Sequence, residues 1–215
     1  MSDAPGLRER KKIRTRNALI DASLRLFDEK GFDETTIAEI AAAVDISPRT
    51  FFSYFAGKED VVFFDHEARV EEALAVIADR RPGEPAIDLL VRAARQNVDH
   101  DFIGPDRTPG FADRRARLIE SVPALQARAL HLLFDTQRRL ARALLASCPG
   151  DLDPVEAAAA VGAILGAARL AAMTSRDSGA SPDEIKAAAR KAIDITIRGL
   201  AALGSPGPPD SPGRT

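Results

Sequence analysis

The chain of 215 residues has a single cysteine, Cys148, which excludes an internal disulfide and cannot form a structural zinc site alone; a reducing compartment is expected. It carries almost no net charge, formally −2, so a basic coat over the whole surface is absent and any attraction to polyanions must be local. Long apolar runs are missing too. The longest alanine-rich run, 157–168, is bracketed by Glu156 and Arg169 and is shorter than the ~20 residues a bilayer requires. The N-terminus is charged and lacks the apolar segment of a signal peptide, so the expected location is the cytoplasm, without membrane partners.

Catalytic signatures are scarce as well. No glycine-rich phosphate loop follows a strand, no nucleophile elbow is present, and no helix face pairs two histidines with a glutamate. His66 and His100 each lie between two acidic residues and His131 adds a third imidazole, but neighbours in sequence do not face one another on a helix. Neither a metal site nor a cofactor is expected, and the chain reads as a non-enzyme.

Helical periodicity dominates what remains. A first helix is expected from about Arg8 to Lys30, stopped by Gly31, with Ile13, Ile20, Leu24 and Phe27 on its buried side. Thr36 and Glu39 have capping-box spacing, and Ile37, Ile40, Ala41 and Val44 continue at helical intervals. After Asp45-Ile46, Ser47 and Pro48 form an N-cap and first-turn pair that begins a helix of about two turns to Phe55. Phe51 and Phe55 share its apolar row, leaving Arg49, Thr50, Ser53 and Tyr54 around the other side: a forked donor, two hydroxyls and a phenol, without a carboxylate. Such a face suits a phosphate backbone and base edges. Upstream, Arg8, Arg10, Lys11, Lys12, Arg14 and Arg16 are opposed only by Glu9.

Thr35 to Lys58, "TTIAEIAAAVDISPRTFFSYFAGK", resembles the DNA-binding domain of the TetR (tetracycline-repressor-like) family of bacterial transcriptional regulators, and the resemblance runs from about Arg14 to Val62. Asp45 stands where that family usually has glycine; aspartate tolerates a left-handed backbone better than most residues, so the turn is expected to survive. The resemblance implies an all-α protein, a three-helix helix-turn-helix domain on a larger helical domain that binds a small molecule and a second subunit. It implies contacts to operator DNA from Arg14, Thr36, Ser47, Pro48, Arg49, Thr50, Ser53, Tyr54 and Lys58. Phe52 occupies a position where the family often has tyrosine.

The expected organisation is a disordered 1–7, a DNA-binding domain over 8–57, a ligand-binding and dimerisation domain over 58–203, and a disordered Pro/Gly/Ser tail over 204–215. A continuous helix is expected from Lys58 to about Arg80, then helices near 85–100, 111–121, 123–147, 154–174 and 182–203, with a loop at 102–110. Residues 116–146 loosely resemble the larger domain of the mycofactocin-system regulators within the same family. Phe64, Phe102, Phe111, Leu118, Phe134 and Arg169 are pocket candidates, with core packing as the competing reading. Gly162 and Gly166, four apart, together with Ile193 and Ile197 mark the expected homodimer face. The function read from these features is that of a dimeric repressor released from a palindromic operator by an apolar or amphipathic effector. A constitutive DNA-binding or interaction protein and a helical enzyme are the alternatives.

Overall fold

A computed structural model describes residues 6–99 and 111–200; the backbone alone is described at 111–113 and 200. The described residues form ten α-helices and no strand: α1 Leu7–Lys30, α2 Ile37–Ala43, α3 Pro48–Phe51, α4 Lys58–Val62, α5 His66–Ala78, α6 Ala86–Asp99, α7 Phe111–Ser121, α8 Pro123–Ser147, α9 Pro154–Asp177 and α10 Pro182–Leu200. The expected all-α class is what the chain adopts. The loop expected at 102–110, with Phe102, and the tail from 204 lie outside the described residues.

The chain divides into two compact units, each built from two stretches of sequence. Unit 1 takes residues 1–68 and 101–133. Its core gathers Leu19, Ile20, Leu24 and Phe27 of α1 with Phe32, Ile40, Ala41, Phe51, Phe55, Val61, Val62 and Leu125. Apolar residues four apart on short helices converge here because no single helix can bury its stripe alone. Unit 2 takes residues 69–100 and 134–215, and α6, α9 and α10 pack around Leu89, Leu90, Leu144, Val161, Ile164 and Ile193. Helix α9 satisfies the length and composition of a membrane span. It buries Ala157, Ala160, Val161 and Ile164 in the core of its unit, and its N-terminus is closed by a capping box between Asp153 and Glu156.

Two expectations about helices change. The helix expected from Lys58 to about Arg80 is two helices, broken at Phe63, Phe64 and Asp65. The break is stabilised by a long-range bond: the carbonyl of Phe64 accepts from the Arg16 guanidinium at 2.6 Å. No periodicity within 58–80 could announce a partner 48 positions away. The recognition segment is also shorter than two α-helical turns. After Phe51 the chain tightens, with Ser53 N–H bonding to Thr50 and Tyr54 N–H to Phe51 before Phe55 N–H returns to Phe51.

Candidate nucleic-acid interface

The helix-turn-helix is built by local chemistry. The Thr36 side chain accepts from the Glu39 amide, and the Glu39 carboxylate takes both the amide and the hydroxyl of Thr36. A direct bond from Lys30, followed by the bonds from Thr36, holds the Glu39 carboxyl down at about 2. The hydroxyl of Thr36 is therefore used within α2. At the other end of α2, Asp45 has φ 56° and is the one non-glycine residue in the left-handed region among those described. Its amide bonds to Ala42 and that of Ile46 to Ala41, at 3.1 and 3.0 Å. The turn survives without glycine.

Ser47 starts α3 as expected, accepting from the Thr50 amide at 3.1 Å, and its hydroxyl lies 2.8 Å from that of Thr50. Ser53 turns its hydroxyl back to the Thr50 carbonyl at 2.6 Å. Phe51 and Phe55 are buried in the unit 1 core and Tyr54 is half-buried against it. What stays outside is a ridge of Ser47, Pro48, Arg49, Phe52 and Ser53. Arg49 makes no hydrogen bond or ion pair to another described residue, so its whole fork is available. Phe52 was not among the sequence-derived contacts, yet it is 56% exposed on this ridge, one turn beyond Pro48. Its spacing from Pro48 and Arg49 was the available signal.

Lys58, expected on DNA from the resemblance, is engaged within unit 1. Its ammonium donates to the carbonyls of Phe32, Asp33 and Thr35 at 2.6, 3.2 and 3.3 Å and sits 4.4 Å from the centre of the Phe32 ring. It staples the start of α4 to the α1–α2 turn. Arg14 is exposed, as are Arg8, Arg10, Lys11 and Lys12, whereas Arg16 is half-buried and turned inward.

The expected pocket residues are shared between the two units. Phe64 and Leu118 pack against the core of unit 1, while Phe134 and Arg169 belong to unit 2 and are exposed. Phe102 and the side chain of Phe111 lie outside the described residues. A cleft of about 490 Å³ in unit 1 is lined by α1, the end of α2 and Arg114, and by none of these candidates. Among the described residues no set of three or more His, Cys, Asp or Glu is placed to hold a metal ion.

On the expected dimer face, Ile193 requires correction. It has no exposed surface and sits in the core of its own unit, so in this conformation it cannot touch a partner. Ile197 packs partly against the same core. Gly162 and Gly166 differ from both: beyond the adjoining backbone of α9, a Cβ added at either would meet no atom within 4 Å. The large exposed apolar residues on the described parts of α9 and α10 are Val155, Leu170 and Ile195, which the sequence reading had not chosen.

Comparison with known proteins agrees with this construction. Residues 19–63 match the description "Bacterial regulatory proteins, tetR family". The chain is 38% identical over 155 residues to the HTH-type transcriptional regulator TcmR of Streptomyces glaucescens, covering 70% of this chain and 68% of that one. HbdR of Aromatoleum sp. (strain CIB), another HTH-type transcriptional regulator, is 38% identical over 48 residues, 22% of this chain and 21% of that protein. Two solved structures share the fold. A SmeT–triclosan complex has a TM-score of 0.54 at 19% identity, covering 94% of this chain and all of that one. The fatty acid degradation regulator FadR of Bacillus halodurans has a TM-score of 0.52 at 16% identity, covering 92% and 98%. A capped helix-turn-helix with an open arginine on its reading ridge, and a regulator alike over two thirds of its length, identify the chain as a member of the tetR family of bacterial regulatory proteins, ligand-responsive DNA-binding repressors.

Proposed function

We propose that the protein is a homodimeric cytoplasmic repressor, not an enzyme, that reads a palindromic operator and is released by a small apolar or amphipathic effector. The observation that carries the DNA-reading half is the exposed ridge of Pro48, Arg49, Phe52 and Ser53 on a capped, buried scaffold. Arg49 supplies a bidentate donor for a base edge, and Phe52 an apolar face of the kind that meets a thymine methyl. Arg14 and its exposed neighbours supply phosphate contacts, which position the ridge without specifying sequence. In this reading residues 8–57 recognise DNA and residues 58–203 hold the effector and the second subunit.

One short recognition helix makes few base contacts, so specific binding needs two copies. The operator's half-sites then lie about one helical turn, roughly 34–36 Å, or a multiple of it apart. An effector acts by favouring a conformation that no longer matches this spacing, and differential binding of about 2–3 kcal/mol suffices for a large loss of occupancy. A structure of the same fold is a complex with triclosan, which supports the choice of a small-molecule effector.

Selection of duplexes from a random-sequence pool by the purified protein, followed by salt-dependent gel shifts, tests the first half. Recovery of no preferred sequence removes the repressor reading. Titration of apolar compounds with and without the recovered duplex tests the second half, because coupling is reciprocal. Equal affinities in the two titrations leave a constitutive DNA-binding protein.

A further inference from the structure

The three residues that separate α4 from α5 are gripped by two helices distant in sequence. From α1, Arg16 Nη2 donates to the Phe64 carbonyl at 2.6 Å. The same guanidinium lies 5.5 Å from the centre of the Phe64 ring and 5.3 Å from that of Phe55. From α7, Arg115 lies 5.6 Å from the Phe64 ring and pairs with Asp65 at 2.9 Å, in a setting where both side chains are only 14% exposed. Two cations thus share one ring, and a carboxylate beside that ring is their counter-charge. Burial pulls the Arg16 guanidinium below its ordinary value and Asp65 opposes the pull. Such cation–ring contacts strengthen as water is excluded.

Arg16 belongs by sequence to the basic stretch of α1, yet its guanidinium is committed inside unit 1. It touches Phe55, which closes the recognition segment, and stands one turn before Leu19 and Ile20, which share a core with Phe51. The contacts are continuous from Arg115 through Phe64 to Arg16 and Phe55, and every member lies in unit 1. We propose that Arg16 is a positioning residue for DNA reading, and that Arg115 of α7 controls operator affinity through the Phe64 ring and Arg16 without touching DNA. The proposal rests on the DNA-reading function and adds to it the route by which α7 bears on the recognition segment.

A contiguous set of contacts establishes a route only when its ends are energetically coupled, so the test is a double-mutant cycle on the full chain. The probe is a duplex recovered by the wild-type protein from a random-sequence pool, titrated at several salt concentrations. Arg115→Gln is expected to weaken binding about three- to thirtyfold, the range such couplings reach. Arg16→Gln should weaken it similarly with the salt slope unchanged, and the double variant should bind about as well as Arg16→Gln alone. Arg16→Lys, which keeps a cation over the rings but loses the fork, should fall between. Three results overturn the proposal: full affinity in Arg115→Gln, losses that multiply independently, or a salt slope lowered by about one in Arg16→Gln, which marks a phosphate contact. Should Arg16→Gln lose its helical circular dichroism, Phe64→Leu carries the test. It should weaken binding and become insensitive to Arg115→Gln, and unimpaired binding overturns the proposal just as firmly. Failure of the wild-type protein to recover any duplex is a different result, which removes DNA reading itself.

Discussion

Replacing Gly162 and Gly166 together by alanine sets two consequences of opposite sign against each other. Both glycines lie inside α9, and beyond the adjoining backbone of that helix a Cβ at either position meets no atom within 4 Å. Alanine is the better helix former by about 1 kcal/mol per site, so α9 in an isolated chain should gain roughly 2 kcal/mol. A second subunit packed closely on these positions would meet the new methyls instead. Overpacking a fitted interface costs on the order of 1–3 kcal/mol per site, and a two-fold interface presents each site twice. The dimer should therefore weaken by about 4 kcal/mol or more, on the order of a thousandfold since every 1.4 kcal/mol or so is a factor of ten, while the chain keeps or raises its helicity. Sedimentation across a dilution series reads the first effect and circular dichroism the second. If the double alanine variant associates as tightly as the wild type, partner backbones do not approach α9 at these glycines and the small-residue argument fails.

Other perturbations separate roles within the reading head. Arg49→Ala should cost about 1–3 kcal/mol and relax discrimination at one or two base positions; repeating the duplex selection with the variant checks this, and an unchanged consensus would rule out base contact. Deoxyuridine in place of thymine removes only the methyl group, so a position that weakens wild-type binding but not Phe52→Ala binding identifies the base that Phe52 meets. Lys58→Ala should destabilise unit 1, because three carbonyls lose their donor, and should leave the salt slope close to that of the wild type; a slope lowered by about one would instead mean that the ammonium leaves its staple for phosphate. In unit 2 a bond from Arg92, then one from the Arg81 amide, holds the Glu84 carboxyl at about 2. A carboxyl depressed on folding stabilises above its ordinary value near 4.5 and loses that contribution as pH falls through about 2. Arg92→Leu should therefore move the acid-unfolding midpoint of the protein upward, and an unshifted midpoint would show that the pair is not what acid breaks.

Features carried by neighbours were legible in the sequence. The Thr36–Glu39 box, the Ser47–Pro48 start and the Asp45 turn each depend on residues within four positions, and all three formed as their spacing implied. Features that depend on distant partners were not. Lys58 was expected on DNA from the family resemblance, and its bonds to carbonyls more than twenty positions earlier were not legible. Arg16 looked like one more cation in a basic run until Phe64 and Phe55 came to lie beside it. Ile193 shows the same limit from the apolar side, since a helical stripe announces burial without saying whether the burying surface is the same chain or another. Phe52 was legible from its spacing to Pro48 and Arg49 but was passed over, while Phe51 and Phe55 were correctly read as core.

The interleaving of unit 1 has a consequence for how the protein is born. Leu125 is fully buried in the core that holds Phe51 and Phe55, and it arrives seventy or more positions after them. On the ribosome the helix-turn-helix emerges early, but its core lacks that side chain until α5, α6 and α7 have also left the tunnel. Synthesis proceeds at about 5–20 residues per second, so the nascent reading head waits several seconds with part of its apolar surface uncovered. A fragment ending at residue 57 would remain in that state indefinitely, and is expected to be stickier and less stable than the same residues in the finished chain.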